Sequence, residues 1–363
     1  MTYDFIPAAK PIIGAQERAA VDAVLVSGML AQGAEVAQFE TEFSQVLLDG
    51  RASVGVNSGT SGLHLGLLAS GVGPGDEIIV PSFTFAATGN AVALTGATAV
   101  FADIELEHYT LDVAHVESLI TERTKGIMPV HLYGHPFAAD AFAALASKYG
   151  IDLYEDAAQA HGARLNGRQV GTFGKFGMFS LYPTKNMTSG EGGMVSTSDP
   201  EVERRLRLLR NQGMKTQYHN ELVGFNNRMT DLHAAIGRVQ LTKVLGWTRQ
   251  RQENAAFLTA NLEGVKTPTV AIGAEHVYHQ YTVRVAEGRD KLHELLLEDF
   301  NIGSGVYYPV PNHRLPSFNC PADLPNTEIA AKEVLSLPVH PSLTPADLER
   351  IVTAVNSIVA AGA

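Results

Sequence analysis

Residues 151–162 read Ile151-Asp152-Leu153-Tyr154-Glu155-Asp156-Ala157-Ala158-Gln159-Ala160-His161-Gly162. A β-rich run from Ile151 to Glu155 gives way to Asp156, Gln159 and His161, so polar groups gather where a strand leaves a sheet. In an open parallel sheet the ligand crevice forms outside the carboxyl ends of the strands, which makes this junction the first place to seek a site. Read alone, the Asp156 carboxylate has three uses: ligating a metal, holding a protonated heterocyclic nitrogen, or capping the next helix.

Outward from this junction, similar runs recur at Ser53–Val56, Glu77–Val80, Thr98–Asp103, Gly126–Leu132, Gly177–Tyr182 and Gly193–Thr197. With Ile151–Glu155 they make seven strands. Helical patterns fall between them at Ser61–Ala69, Thr84–Leu94, Val113–Ile120 and Ala138–Tyr149, with Asp112 as an N-cap. The alternation predicts an α/β domain with a mostly parallel sheet, and the unbroken apolar triplet Ile78-Ile79-Val80 predicts that helices cover both faces.

Beyond Arg228 one long helical pattern runs to about Leu262. It is followed by a strand (Tyr278–Val285), a helix (Asp290–Glu298), a Pro-rich loop (Pro309–Pro325) and a last helix (Pro345–Ala360), the order of a smaller α+β domain. A chain of 363 residues is long enough for two cores. The expected division is a large domain with an N-terminal arm at 1–245 and a small domain at 246–363.

Two further stretches bear on chemistry. Phe179-Ser180-Leu181-Tyr182-Pro183-Thr184-Lys185-Asn186 takes a strand out of the core into a turn that presents a lysine, and Gly190-Glu191-Gly192-Gly193 leads back into the next strand. A lysine held between strands and desolvated there loses basicity, which frees its amine for imine formation. Asn57-Ser58-Gly59-Thr60-Ser61-Gly62 joins a strand to an apolar helix, an arrangement that suits a phosphate at a helix N-terminus and equally suits an ordinary capped helix start. Together the three stretches supply a phosphate cradle, an acid for a ring nitrogen and an imine-forming lysine, which are the parts that pyridoxal 5'-phosphate (PLP) requires.

Composition narrows the rest. With 27 basic against 38 acidic residues the net charge is -11, which disfavours nucleic acid as a partner. Arg204, Arg205, Arg207 and Arg210 read as the solvated face of a helix over Glu201–Arg210. The uncharged run from Ile78 to Ala102 is broken by Pro81, Gly89, Asn90 and Gly96, so a buried strand-helix-strand is expected there and no membrane partner. Cys320 is the single cysteine, so no intrachain disulfide is possible and the cytoplasm is the expected location. His64, His131 and His161 fall in separate elements without ligand spacing, and no metal site is expected from them.

The ordered motifs resemble the DegT/DnrJ/EryC1/StrS family of PLP-dependent sugar aminotransferases, a branch of fold type I. They are Asn57-Ser58-Gly59-Thr60, Gly73-Pro74-Gly75-Asp76-Glu77, Pro81-Ser82-Phe83-Thr84-Phe85, Pro129-Val130-His131-Leu132-Tyr133-Gly134, Glu155 to Gly162, Thr184-Lys185-Asn186 with Gly190-Glu191-Gly192-Gly193, and Gly224-Phe225-Asn226-Asn227-Arg228-Met229. The resemblance implies that Lys185 carries PLP as a Schiff base and moves the proton between donor and cofactor. It further implies that Asp156 pairs with the ring nitrogen, Phe85 stacks on the ring, Gln159 faces the 3'-oxygen, and Gly59, Thr60 and Ser180 hold the phosphate. Asn226, Asn227 and Arg228 would reach the phosphate of a partner subunit, which implies an obligate homodimer with shared active sites. Tyr308 and His313 match a segment near the sugar nucleotide.

The implied reaction cycles the cofactor between PLP and its pyridoxamine form (PMP), taking the amino group of an amino acid, L-glutamate, and giving it to a keto group of a nucleotide-activated sugar. Alternatives are a ketocyclitol acceptor and a non-catalytic PLP-fold regulator. The family's sugar dehydratases have His where Lys185 stands. This chain departs from the family in the Ser27–Gly33 loop, which lacks the common Trp and Thr, and at Gln212, where His is common.

Overall fold

The computed structural model describes residues 4–362; residues 1–3 and 363, the outermost positions of the two expected domains, lie outside it. The seven expected strands form one sheet: β1 (Ala52–Val56), β2 (Glu77–Pro81), β3 (Thr98–Ala102), β4 (Thr124–Ile127), β5 (Asp152–Asp156), β6 (Phe176–Ser180) and β7 (Gly193–Thr197). Their spatial order is β1-β7-β6-β5-β4-β2-β3. Only β7 runs against its neighbours, pairing antiparallel with both β1 and β6, while β6, β5, β4, β2 and β3 are parallel.

Helices α1 (Ala15–Ser27), α2 (Ala34–Leu47), α3 (Gly59–Ala69), α4 (Ala87–Leu94), α5 (Val113–Ser118), α6 (Ala139–Tyr149) and α7 (Pro200–Leu209) accompany the sheet. The Asp112 carboxylate caps α5, accepting the His115 N–H at 2.9 Å. Helix α3 lies so close to β6 that a Cβ at Gly66 would come within 2.7 Å of the Phe176 ring, and one at Gly62 within 2.8 Å of Met178 Cγ. Glycine at both positions lets the helix N-terminus approach the strand ends.

The structure departs from the sequence reading in three places, the first two for local reasons. The strand expected to reach Leu132 stops at Ile127, because Pro129 has no N–H for the ladder and Leu132–Gly134 turns as a 3-10 helix. The long helix expected up to Leu262 is two, α8 (Asp231–Leu241) and α9 (Val244–Asn261). Thr242 and Lys243 donate their N–H groups three residues back, and the Thr242 hydroxyl donates to the Val239 carbonyl at 2.7 Å, which tightens and ends α8.

The third departure is Arg210, which is no part of a solvated face. It is 4% exposed and its Nη1 donates to Glu40 Oε1 and to the Gly55 carbonyl, both at 2.5 Å. Glu40 also accepts the Gly55 N–H at 2.8 Å, so α2 and α7 grip the end of β1 through one buried ion pair. Removing one partner strands the other's charge in the core. Glu40→Ala is expected to lower the unfolding free energy, measured by denaturant titration, by about 3–5 kcal/mol. A loss below about 1 kcal/mol would mean that the pair behaves as a surface one.

A second core gathers Ala255 and Leu258 of α9, β8 (Tyr281–Arg284), α10 (Arg289–Glu298), β9 (Val334–Leu337) and α12 (Pro345–Ala360). Strands β8 and β9 pair antiparallel, Tyr281 opposite Leu337. Between them the Pro-rich stretch carries a 3-10 turn at Asn312–Arg314 and an unforeseen α11 (Pro325–Glu333). Ile6 packs into this second core and bridges to Ile302, so the N-terminal arm touches the far end of the chain. We propose that the division between the domains falls at 245/246, near the start of α9, whose Val244 packs with the sheet core and whose Leu258 packs with the second. No helix of the described residues is long and apolar enough to cross a membrane.

Candidate active site

The carboxyl ends of β1, β2, β5 and β6 open on one side of the sheet into a cavity of about 510 Å³. Each strand end contributes by its own local chemistry. After β1, Ser58 caps α3 by accepting the Ser61 N–H at 3.1 Å. The N–H groups of Gly59 and Thr60 then stand at the helix start without a protein acceptor among the described residues, with Ser180 beside them. A Cβ at Gly59 would meet Ser180 Cβ at 3.0 Å and Met178 Sδ at 3.3 Å, so glycine keeps this cradle open. Unpaired N–H groups and the positive end of a helix dipole favour an anion there.

After β2, the turn before α4 presents Phe85, 63% exposed on the cavity wall. After β5 comes Asp156, 4% exposed. Its Oδ2 accepts the Thr88 hydroxyl at 2.7 Å and its Oδ1 accepts the Ala158 N–H at 3.1 Å. Burial pushes its carboxyl up, opposed by these two hydrogen bonds and by Lys185. Lys185, on the turn after β6, has its amine pulled down to about 8 by burial, with Asp156 opposing the shift. No hydrogen bond or ion pair holds its Nζ among the described residues.

The remaining expected positions divide. Gln159 Oε1 accepts the Tyr133 N–H at 2.7 Å and its Nε2 donates to the Tyr308 hydroxyl at 2.9 Å, so Gln159 and Tyr308 line the cavity as a joined pair. His313 does not line it. The ring is fully buried, with Nδ1 2.7 Å from the Ser82 hydroxyl and Nε2 3.3 Å from Glu328, and it clasps the Pro-rich loop to the β2 turn. These contacts tie the two segments together and hold the His313 ring away from the cavity wall.

Asn226, Asn227 and Arg228 also stay outside their own chain's cavity. The Asn227 carbonyl accepts the Asn57 N–H at 3.0 Å and Arg228 Nη1 donates to Asn211 Oδ1 at 2.9 Å, behind the end of β1.

The structure adds residues that no motif announced. Thr88 reaches Asp156 from α4, and His279 and Gln280 enter the cavity wall from the segment before β8, more than ninety positions beyond Lys185 in the chain. His279 is buried, its Nδ1 lacks a partner among the described residues, and burial with the nearby Lys185 and Arg251 keeps its imidazole neutral. The three histidines of the metal question have separate surroundings. His131 Nε2 lies 3.0 Å from Glu155, His64 packs edge-on to Phe225, and His161 packs edge-on to Phe43. Among the described residues no cluster of His, Cys, Asp or Glu could hold a metal ion.

The sequence profile of the DegT/DnrJ/EryC1/StrS aminotransferase family matches residues 11–356. The chain belongs to this family. It is 42% identical over 358 residues to the dTDP-3-amino-3,4,6-trideoxy-alpha-D-glucose transaminase of Streptomyces venezuelae, covering 96% of this chain and 94% of that one. Among solved structures, DesV of S. venezuelae in complex with a ketimine intermediate aligns with a TM-score of 0.90 at 42% identity, over 95% of this chain and 94% of that one. Spr1654 of Streptococcus pneumoniae in its PLP form aligns with a TM-score of 0.93 at 26% identity, over 99% of both chains.

For this aminotransferase the residues present fit PLP. The cradle at Gly59 has room for a phosphate because no Cβ fills it, Phe85 offers an open ring face, Asp156 is a buried acid, and Lys185 is an amine without a partner among the described residues.

Proposed function

We propose that this chain is a PLP-dependent aminotransferase, acting in the cytoplasm, that moves an amino group from an amino acid, L-glutamate, to a keto group of a nucleotide-activated sugar. The observation that carries the cofactor reading is the meeting of a buried carboxylate and a lysine of lowered basicity in one cavity at the strand ends. The acceptor class follows from family membership and from the relative's activity on a dTDP-sugar.

When bound, PLP supplies an aldehyde for the amine and a ring that takes up the electron pair left on the donor's α-carbon. The chain's own residues do the rest. Lys185 Nζ holds the cofactor and then moves the proton at the donor's Cα. Asp156 keeps a positive charge on the ring nitrogen by accepting its hydrogen bond. Gly59, Thr60 and Ser180 bind the phosphate, Phe85 covers the ring face, and Gln159 orients the 3'-oxygen side while Tyr308 fixes its amide. A partner subunit's copies of Asn226, Asn227 and Arg228 would close the phosphate site in an obligate homodimer. Support for this is that these residues miss their own cavity while the neighbouring Val223 leaves 91% of its surface uncovered.

The test is the visible absorbance of the protein loaded with PLP. L-glutamate alone is expected to bleach the yellow band, and a keto-sugar nucleotide to restore it. Restoration by a ketocyclitol in place of the keto-sugar nucleotide would reassign the acceptor, and a band that no amino acid bleaches would remove transamination.

A further inference from the structure

Asp156 is held by a residue 68 positions away in the chain. Thr88 sits in the first turn of α4 and is 1% exposed. A helical threonine commonly turns its hydroxyl back onto a carbonyl of the preceding turn. Here the hydroxyl instead donates to Asp156 Oδ2 at 2.7 Å, while the Thr88 N–H donates to the Phe85 carbonyl at 3.2 Å. One residue therefore touches both the acid and the turn that bears the exposed aromatic ring.

The carboxylate's needs make this contact consequential. A carboxylate offers about four acceptor sites, and here Thr88 and the Ala158 N–H each fill one, on opposite oxygens. The two donors fix the plane of the group and leave the other lone pairs free for the cavity. A buried carboxylate stays ionised only when donors replace the water it has lost.

We infer that Thr88 is a positioning residue of the cofactor site: its hydroxyl fixes the Asp156 carboxylate and its backbone fixes the turn of Phe85, so that one residue sets the groups for the ring nitrogen and the ring face. This rests on the cofactor reading above. Without the hydroxyl, Asp156 keeps a single donor, rotates more freely and takes up a proton more readily, and a protonated carboxyl no longer holds charge on a ring nitrogen.

The experiment measures the PLP dissociation constant of the holo-forming protein by equilibrium dialysis for the unmodified chain, Thr88→Val, Thr88→Ser, Asp156→Asn and the Thr88→Val/Asp156→Asn pair. Thr88→Val is expected to weaken binding by about tenfold to a hundredfold, the worth of a hydrogen bond to a charged group. Thr88→Ser keeps the hydroxyl and is expected to stay near the unmodified chain. In the Asp156→Asn background, Thr88→Val is expected to add little, because its effect runs through the carboxylate.

Unchanged binding by Thr88→Val, equal weakening by Ser and Val, or losses that multiply in the double variant would each overturn the assignment. Thermal unfolding checks the fold of each variant. If Thr88→Val does not fold, Thr88→Ala, which also lacks a side-chain donor, takes its place under the same expectations. Failure of the unmodified chain to bind PLP at all would overturn the cofactor reading itself, and this inference with it.

Discussion

Lys185→Ala is expected to abolish the yellow band of covalently held cofactor and to lower amino transfer by on the order of 10⁴-fold, the upper range for loss of a positioned acid-base group. The change removes the only amine among the described residues of the cavity wall and, with it, the proposed covalent anchor and the group proposed to move the Cα proton. The pH dependence is a sharper form of the same claim. Burial lowers the Lys185 amine to about 8, so below that pH most of it is protonated and cannot attack an aldehyde. PLP attachment to the cofactor-free protein, followed by absorbance, should therefore accelerate roughly tenfold per pH unit and level off above about pH 8. An amine of ordinary basicity would keep accelerating to about pH 10. A band that persists in Lys185→Ala would place the attachment elsewhere.

Asp156→Asn is expected to lower the L-glutamate half-reaction by about 10²- to 10³-fold in single-turnover measurements, the usual loss when a preorganised electrostatic group leaves a site. The substitution keeps the side chain's shape and leaves an amide oxygen to accept from Thr88 or Ala158. What disappears is the negative charge. Burial already works against that charge, while two hydrogen bonds and the proximity of Lys185 work to keep it. Because the phosphate cradle and Phe85 are untouched, cofactor binding should fall less than the rate does. A rate within about tenfold of the unmodified enzyme would show that Asp156 serves structure rather than the ring nitrogen.

Most of the sheet and the centre of the site could be read in the chain because they rest on short-range chemistry. An apolar run between turn residues makes a strand wherever it lies; all seven expected strands exist, six within two residues of their expected ends and the one expected to reach Leu132 ending at Ile127. Ser58 and Asp112 cap their helices through bonds to N–H groups three residues ahead, an interaction spelled by spacing alone. Lys185 and Asp156 lie at strand ends, so a correct strand placed them on the ligand side of the sheet. Where local chemistry was overlooked, at Pro129 and at Thr242–Lys243, the element boundaries shifted.

Thr88 on Asp156, Ser82 on His313 and Glu40 on Arg210 are bonds between residues 68, 231 and 170 positions apart. Periodicity tells which side of an element is buried and says nothing of what it is buried against, so Arg210 read as part of a solvated face. The sequence by itself determined the α/β class, the seven strands and the acid and amine of the site, because each depends on neighbours within a few residues. Only the tertiary structure decided the strand order, the reversed β7, the resting place of Asn226–Arg228 outside their own cavity and the hydroxyl that holds Asp156, because those are settled by which distant surfaces pack together.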